Sequence, residues 1–144
     1  MALSQGVTVK ALAERAGVST DTVRHYVRIG LLRPKRDATN GYKLFFEAEM
    51  RRLKFIRGAQ ALGFSLDEIA LILDLGNRGE SPCPNVRQIL QRHIDDNRAR
   101  LEELRTRQAR MEAVLKKWSD MPDGHPDDSS ICHLIEKVSG LREF

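Results

Sequence analysis

Apolar residues recur with a helical period along most of this chain, and the interruptions mark where one helix gives way to the next. Val9, Leu12, Ala13 and Ala16 follow Thr8, a good N-cap, and Gly17 is a natural stop. A second helix begins at once, capped by Ser19 or Thr20, with Asp21 near its positive end, and runs through Tyr26 toward Gly30. Two short helices joined by "AGVS" are the sequence form of a helix-turn-helix, whose second helix lies in the major groove of DNA. The outward face of that helix carries Thr20, Thr22, Arg24, His25 and Arg28, all able to bond phosphate or base edges.

Pro34 then ends the helical pattern, Asn40-Gly41 signals a tight turn, and Tyr42, Leu44 and Phe46 alternate as a strand would. This predicts a small wing, and Arg33, Lys35, Arg36 and Lys43 suit it to phosphate contact. Met50, Leu53, Phe55, Ile56 and Ala59 predict a third helix over 47–62, closed by Gly63, with Arg57 on its basic side. Ser65 and Glu68 form a capping box that opens a fourth, whose apolar face is Leu66, Ile69, Ile72 and Leu73.

The longest predicted element is 84–118. Leu101, Leu104, Gln108, Met111, Leu115 and Trp118 alternate in steps of three and four, the rhythm of a coiled-coil seam. A helix of that length spans roughly 50 Å at about 1.5 Å per residue, too long to fold back on one small domain. One apolar seam with charged flanks therefore calls for a partner, and a second copy of the chain is the simplest. His93 reads as part of that seam. The tail, "SDMPDGHPDDSSICHLIEKVSGLREF", opens as a polar loop and closes in a short amphipathic piece, Ile131 to Leu141. The organisation is thus 1–76 for the winged helix-turn-helix and its supporting helices, 77–83 for a linker, 84–118 for the dimerisation helix, and 119–144 for the terminal loop and helix.

Composition sharpens this in two ways. The net charge of +4 is unevenly spread: residues 1–58 hold twelve Lys/Arg against five Asp/Glu, while 59–144 hold twelve against fifteen. The first part is built to meet a polyanion, and the second needs a different task. No apolar run could span a bilayer and the N-terminus has no secretory pattern, so a cytoplasmic protein is expected, in which the two cysteines are thiols. No nucleophile motif, phosphate loop or paired carboxylates sit on a rigid scaffold, so an enzyme is not expected.

The stretches "ALAERAGVSTDTVRHYVRIGLL", "NGYKLF" and "RLKFIRGAQALGFSLDEIALIL", followed by the long helix, together resemble the MerR family of bacterial transcription regulators. The resemblance implies a mostly α fold, a winged helix-turn-helix followed by a long helix that forms an antiparallel coiled coil in a homodimer, and a short C-terminal effector loop and helix. It implies promoter DNA and RNA polymerase as partners, with activation by distortion of an over-long promoter spacer. By position, Arg24 and Tyr26 match the family's recognition-helix residues, and Tyr42 and Lys43 its phosphate-gripping wing pair. His25 and Val27 depart from an aromatic and an acidic residue common there, and Gly58 from a basic one; these departures bear on operator specificity. The expected DNA contacts are Thr20, Thr22, Arg24, His25, Tyr26, Arg36, Tyr42, Lys43 and Arg57.

The same resemblance bears on the thiols. Cys83 stands where sensors of divalent ions carry a cysteine, and Cys132 matches the last cysteine of their binding loop, although the earlier loop cysteine is missing and 122–124 read Pro-Asp-Gly. In an antiparallel dimer the partner subunit's Cys83 would meet Cys132. Pro84 at the first helical position would make Cys83 the N-cap, where the positive helix end favours a thiolate. Two thiolates with His125, and with Asp123, Asp127, Met121 or His133 in reserve, suit a tetrahedral divalent ion such as Zn²⁺, Cd²⁺, Pb²⁺ or Hg²⁺. A metal-responsive activator is the first reading, and a redox or electrophile sensor using the same thiols is the alternative. Plain packing of both cysteines is the bland one.

Overall fold

The computed structural model describes residues 5–139. In chain order it contains α1 (Val9–Ala16), α2 (Thr20–Arg28), β1 (Lys35–Arg36), β2 (Lys43–Leu44), α3 (Glu47–Ala61), α4 (Leu66–Asn77), α5 (Cys83–Trp118) and α6 (His133–Ser139). The chain divides after His93 into two units.

Local chemistry starts and stops the helices of the first unit. Thr8 Oγ1 accepts from the Ala11 N–H and Ser19 Oγ from the Thr22 N–H, so Ser19 rather than Thr20 caps α2. Gly17 takes the left-handed conformation (φ 69°) that ends α1 and turns the chain into α2. At α4, Ser65 Oγ accepts from the Glu68 N–H while the Glu68 carboxylate accepts from the Ser65 N–H, the reciprocal pair that the sequence predicted. The core these helices enclose centres on Leu12, Val23, Leu32, Phe45, Leu53, Ile56 and Ile69, all fully buried.

The wing departs from simple alternation. β1 and β2 pair antiparallel, Lys35 opposite Leu44 and Arg36 opposite Lys43, around a turn in which the Asp37 and Asn40 carboxyl and amide oxygens accept backbone N–H groups. The ladder then breaks. Phe45 exchanges two 2.8 Å backbone hydrogen bonds with Val7 and enters the core, while Phe46 becomes the N-cap residue of α3. Tyr42, Leu44 and Phe46 therefore do not form one strand face, because the chain turns into a helix before the period can continue. Phe55, expected in the core of α3, lies off its Met50–Leu53–Ile56–Ala59 line and is exposed.

The first turns of α5 belong to this unit. Ile89 is buried among the same core residues, with Val86 and Leu90 packed alongside. His93 is not on the seam as expected; its Nε2 lies 2.8 Å and 3.1 Å from the two oxygens of Glu68. A boundary at residue 76 thus divides elements that pack together. The helix also begins one residue earlier than predicted: the Val86 N–H bonds to the Pro82 carbonyl, which leaves Cys83 inside the first turn and not at the N-cap.

In the second unit, Leu101, Leu104, Met111 and Leu115 are exposed, so none of the described residues covers these positions of the 3–4 seam. Val114, Leu115 and Trp118 of α5 and Ile135 and Val138 of α6 line a cavity of about 540 Å³. Glu136 organises the turn into α6, its carboxylate accepting from Ser130 Oγ and from the Ile131 and Cys132 N–H groups. The terminal amphipathic piece was expected to reach Leu141, and residues 140–144 lie outside those described. Among the described residues no helix is long and apolar enough to cross a membrane.

Glu68 gives this fold a pH dependence. Its carboxyl is held below the ordinary carboxylate range first by the Ser65 backbone N–H and then by the His93 imidazole. A carboxylate held down in the folded state stabilises it above the unfolded value, near 4.5, and that stabilisation is lost as pH falls through the folded value. Glu68→Gln keeps an acceptor for Ser65 but not the charge. It should lower the urea midpoint at pH 7, and the gap to the parent protein should narrow steadily as pH is lowered from 4.5.

Candidate nucleic-acid interface and effector loop

The turn between α1 and α2 and the wing turn bring four of the expected contacts together. Arg24 of α2, Arg36 of β1, and Tyr42 and Lys43 at the start of β2 line one cavity of about 330 Å³, with Thr8, Val9, Val27, Gly41 and Phe45 completing it. Arg36 Nη1 donates to the Gly41 carbonyl at 3.1 Å, which fixes the guanidinium against the turn. Tyr42 stands 68% exposed at the wing tip, a large aromatic left uncovered beside three cations. Arg24 Nη1 lies 3.4 Å from Asp21 in an exposed pair. Such a pair contributes little in water, so a phosphate can take the carboxylate's place at small cost.

The other expected contacts are placed differently. Thr22 shares a 2.8 Å hydrogen bond with Ser19 at the helix start, and Arg28 Nη2 lies 3.3 Å from His25 Nδ1. Thr20 Oγ1 accepts from Arg24 Nη1 at 3.5 Å, beside the guanidinium that lines the cavity. Arg57 is exposed on α3, apart from the cavity. Tyr26 is a correction: its ring is 3% exposed in the core and its hydroxyl donates to Gln60 Oε1 at 2.7 Å. A buried aromatic whose polar end is already satisfied braces the recognition helix and does not present itself to DNA. Val9 and Thr8 were missed as lining residues; the Thr8 cap signal was legible, but only the Val7–Phe45 pairing brings it beside the wing.

The effector loop holds its candidate ligands in two groups. Cys132 and Met121 are half-buried, and His133 Nε2 lies 3.2 Å from the Pro122 carbonyl with its ring against Gly124, where a Cβ would collide at 2.5 Å. Asp123, His125 and Asp128 are exposed. Asp127 is spent on the turn, its carboxylate accepting from the Ser129 N–H and hydroxyl. Both cysteines are free thiols, and Cys83 is exposed. Among the described residues, no three His, Cys, Asp or Glu side chains of one chain are grouped so as to hold an ion.

Residues 7–75 match the family described as MerR HTH family regulatory protein, and residues 50–114 the one described as MerR, DNA binding. A mercuric resistance operon regulatory protein of Shigella flexneri is 36% identical over 136 residues, covering 94% of this chain and 90% of that protein. The chain belongs to the MerR family. Its fold is similar to that of a transcription regulator of Ralstonia metallidurans solved with lead(II), with a TM-score of 0.72 and 26% identity over 92% of this chain and 98% of that one. A transcriptional regulator from Bacillus megaterium solved with mercury(II) matches at a TM-score of 0.52 and 28% identity, covering 88% and 94%.

As a MerR-family protein this chain is a DNA-binding transcription regulator, and the cavity between α2 and the wing is where its cations converge. Lys43→Ala should weaken binding to all sequences alike and reduce the slope of log affinity against log salt by about one, measured by fluorescence anisotropy. Tyr26→Phe should instead lower unfolding free energy by about 1 kcal/mol through loss of the Gln60 bond, with operator affinity of the folded protein unchanged.

Proposed function

We propose that this protein is a metal-responsive transcription activator that acts as a homodimer on promoter DNA, with the 119–144 segment as its effector region. The observation that carries the reading is the likeness to a mercuric resistance operon regulator across 94% of the chain, joined to two free thiols at Cys83 and Cys132. The exposed seam of Leu101, Leu104, Met111 and Leu115 supports pairing with a second copy, since burying each such side chain contributes about 1.5–3 kcal/mol.

The donor set fits a soft or borderline divalent ion. Cys132 and the partner subunit's Cys83 would supply thiolates, with His125 as the next ligand and Asp123, Met121 or His133 in reserve. One chain groups no three such ligands among its described residues, so completion by the second chain is part of the proposal. Zn²⁺, Cd²⁺, Pb²⁺ and Hg²⁺ all suit these donors. The ion would tie the effector loop to the partner, change the setting of the DNA-binding units, and let RNA polymerase engage a distorted promoter. The work is regulatory, with no catalytic step, and fits a reducing, cytoplasmic setting. The exposure of the Cys83 thiol supports a second reading, a redox or electrophile sensor of the same architecture.

Cys83→Ser and Cys132→Ser should each abolish induction by metal in a promoter-reporter assay while operator binding stays within about twofold of the parent, as expected for groups that are not among the DNA contacts. Full metal response in both variants would sink the metal reading. Loss of metal response with retained response to a thiol oxidant in the parent would favour the second.

A further inference from the structure

Glu68 makes a contact that neither DNA recognition nor the thiols use. While closing the α4 capping box, its carboxylate also meets His93 Nε2 at 2.8 Å and 3.1 Å, and Arg92 Nη2 lies 3.7 Å away. The Glu68 side chain is only 19% exposed, and the His93 ring stands edge-on to buried Phe64, centroids 6.2 Å apart. One helical turn before His93, on the same face of α5, Ile89 is buried in the core. An apolar anchor alone would let the helix roll about it; a directional hydrogen bond one turn later, about 6 Å along the axis, removes that freedom.

From this anchor a continuous run of contacts leads to the recognition helix. α4 packs on α3, with Ile69 and Ile72 buried in the core they share, and Gln60 of α3 holds the Tyr26 hydroxyl of α2 at 2.7 Å. We infer that the Glu68–His93 pair is a positioning contact that couples the root of the long helix to the DNA-binding unit, so that a change carried by α5 reaches α2 instead of dissipating where the helix joins the core. The inference rests on reading the protein as an effector-responsive regulator.

The test uses the full-length protein and two substitutions. His93→Phe keeps a ring against Phe64 but cannot donate to Glu68, whereas His93→Gln keeps a donor. Each is compared with the parent for affinity to its promoter fragment, for the end-to-end distance of the bound DNA by energy transfer, and for transcription with Zn²⁺, Cd²⁺, Pb²⁺ or Hg²⁺ in turn. Both variants should bind the fragment within about twofold of the parent. In His93→Phe the induction ratio should fall by about fivefold or more, the scale of an allosteric coupling, and the DNA distance should shift; His93→Gln should restore most of both.

Parent-like induction and DNA distance in His93→Phe would overturn the inference. So would a loss of affinity and thermal stability that His93→Gln fails to rescue, since that marks the contact as structural only. Should His93→Phe not fold, Glu68→Gln, which keeps the cap and a neutral acceptor, should show the same shifts in smaller degree, and parent-like values there would equally overturn it. If the parent itself answers no metal, the functional reading fails on that result alone. The DNA distance without metal, shifted in His93→Phe and restored in His93→Gln, then still decides the coupling.

Discussion

The burial of Ile89 is the constraint on which the rest of this molecule depends. It lies seven residues into a 36-residue helix, yet it is 5% exposed because α5 begins as part of the DNA-binding core. Removing such a side chain from water contributes about 1.5–3 kcal/mol, enough to seat the first turns of the helix firmly. Beyond His93 the same element presents an apolar seam to solvent. One helix therefore belongs to the core at its start and carries an exposed apolar seam along the remainder.

The DNA-binding unit separates bracing from contact. Tyr26 and Gln60 hold the recognition helix from behind, and the Val7–Phe45 pairing holds the wing beside it. With both elements fixed, Arg24, Arg36 and Lys43 converge on one cavity without having to be ordered by the ligand. Their mutual repulsion is moderated by exposure and by the Asp21 carboxylate near Arg24. A polyanion entering this cavity meets charges already in position.

The effector loop follows the opposite plan. Its order comes from short polar bonds, Asp127 to Ser129 and Glu136 to the 130–132 backbone, and much of its ligand chemistry remains exposed. Cys132 stands just ahead of α6, and among the described residues no three candidate ligands of one chain are grouped around it. Gly124 leaves room for the His133 ring, which a Cβ there would approach to 2.5 Å.

Much of this was legible in the sequence, and the pattern of what was not has a physical reason. The caps at Thr8, Ser19 and Ser65, the stop at Gly17 and the seam of α5 are set by groups within about four residues of one another, so residue type and spacing alone determine them. The uneven charge likewise follows from composition, and with it the choice of which half meets DNA. Tyr26 and His93 were misplaced because their surroundings come from distant segments, Gln60 for Tyr26 and Glu68 for His93, whereas Cys83 was misplaced by one residue at a helix start and Phe55 by lying off the buried line of α3. Periodicity says which residues share a face, but not which element will cover that face or whether a polar side chain finds its partner there. The sequence alone thus determined the helices, their caps and the residue types available for DNA and metal. The tertiary structure decided which of them are spent on holding the fold, because only packing brings together groups that are 25 or 34 residues apart.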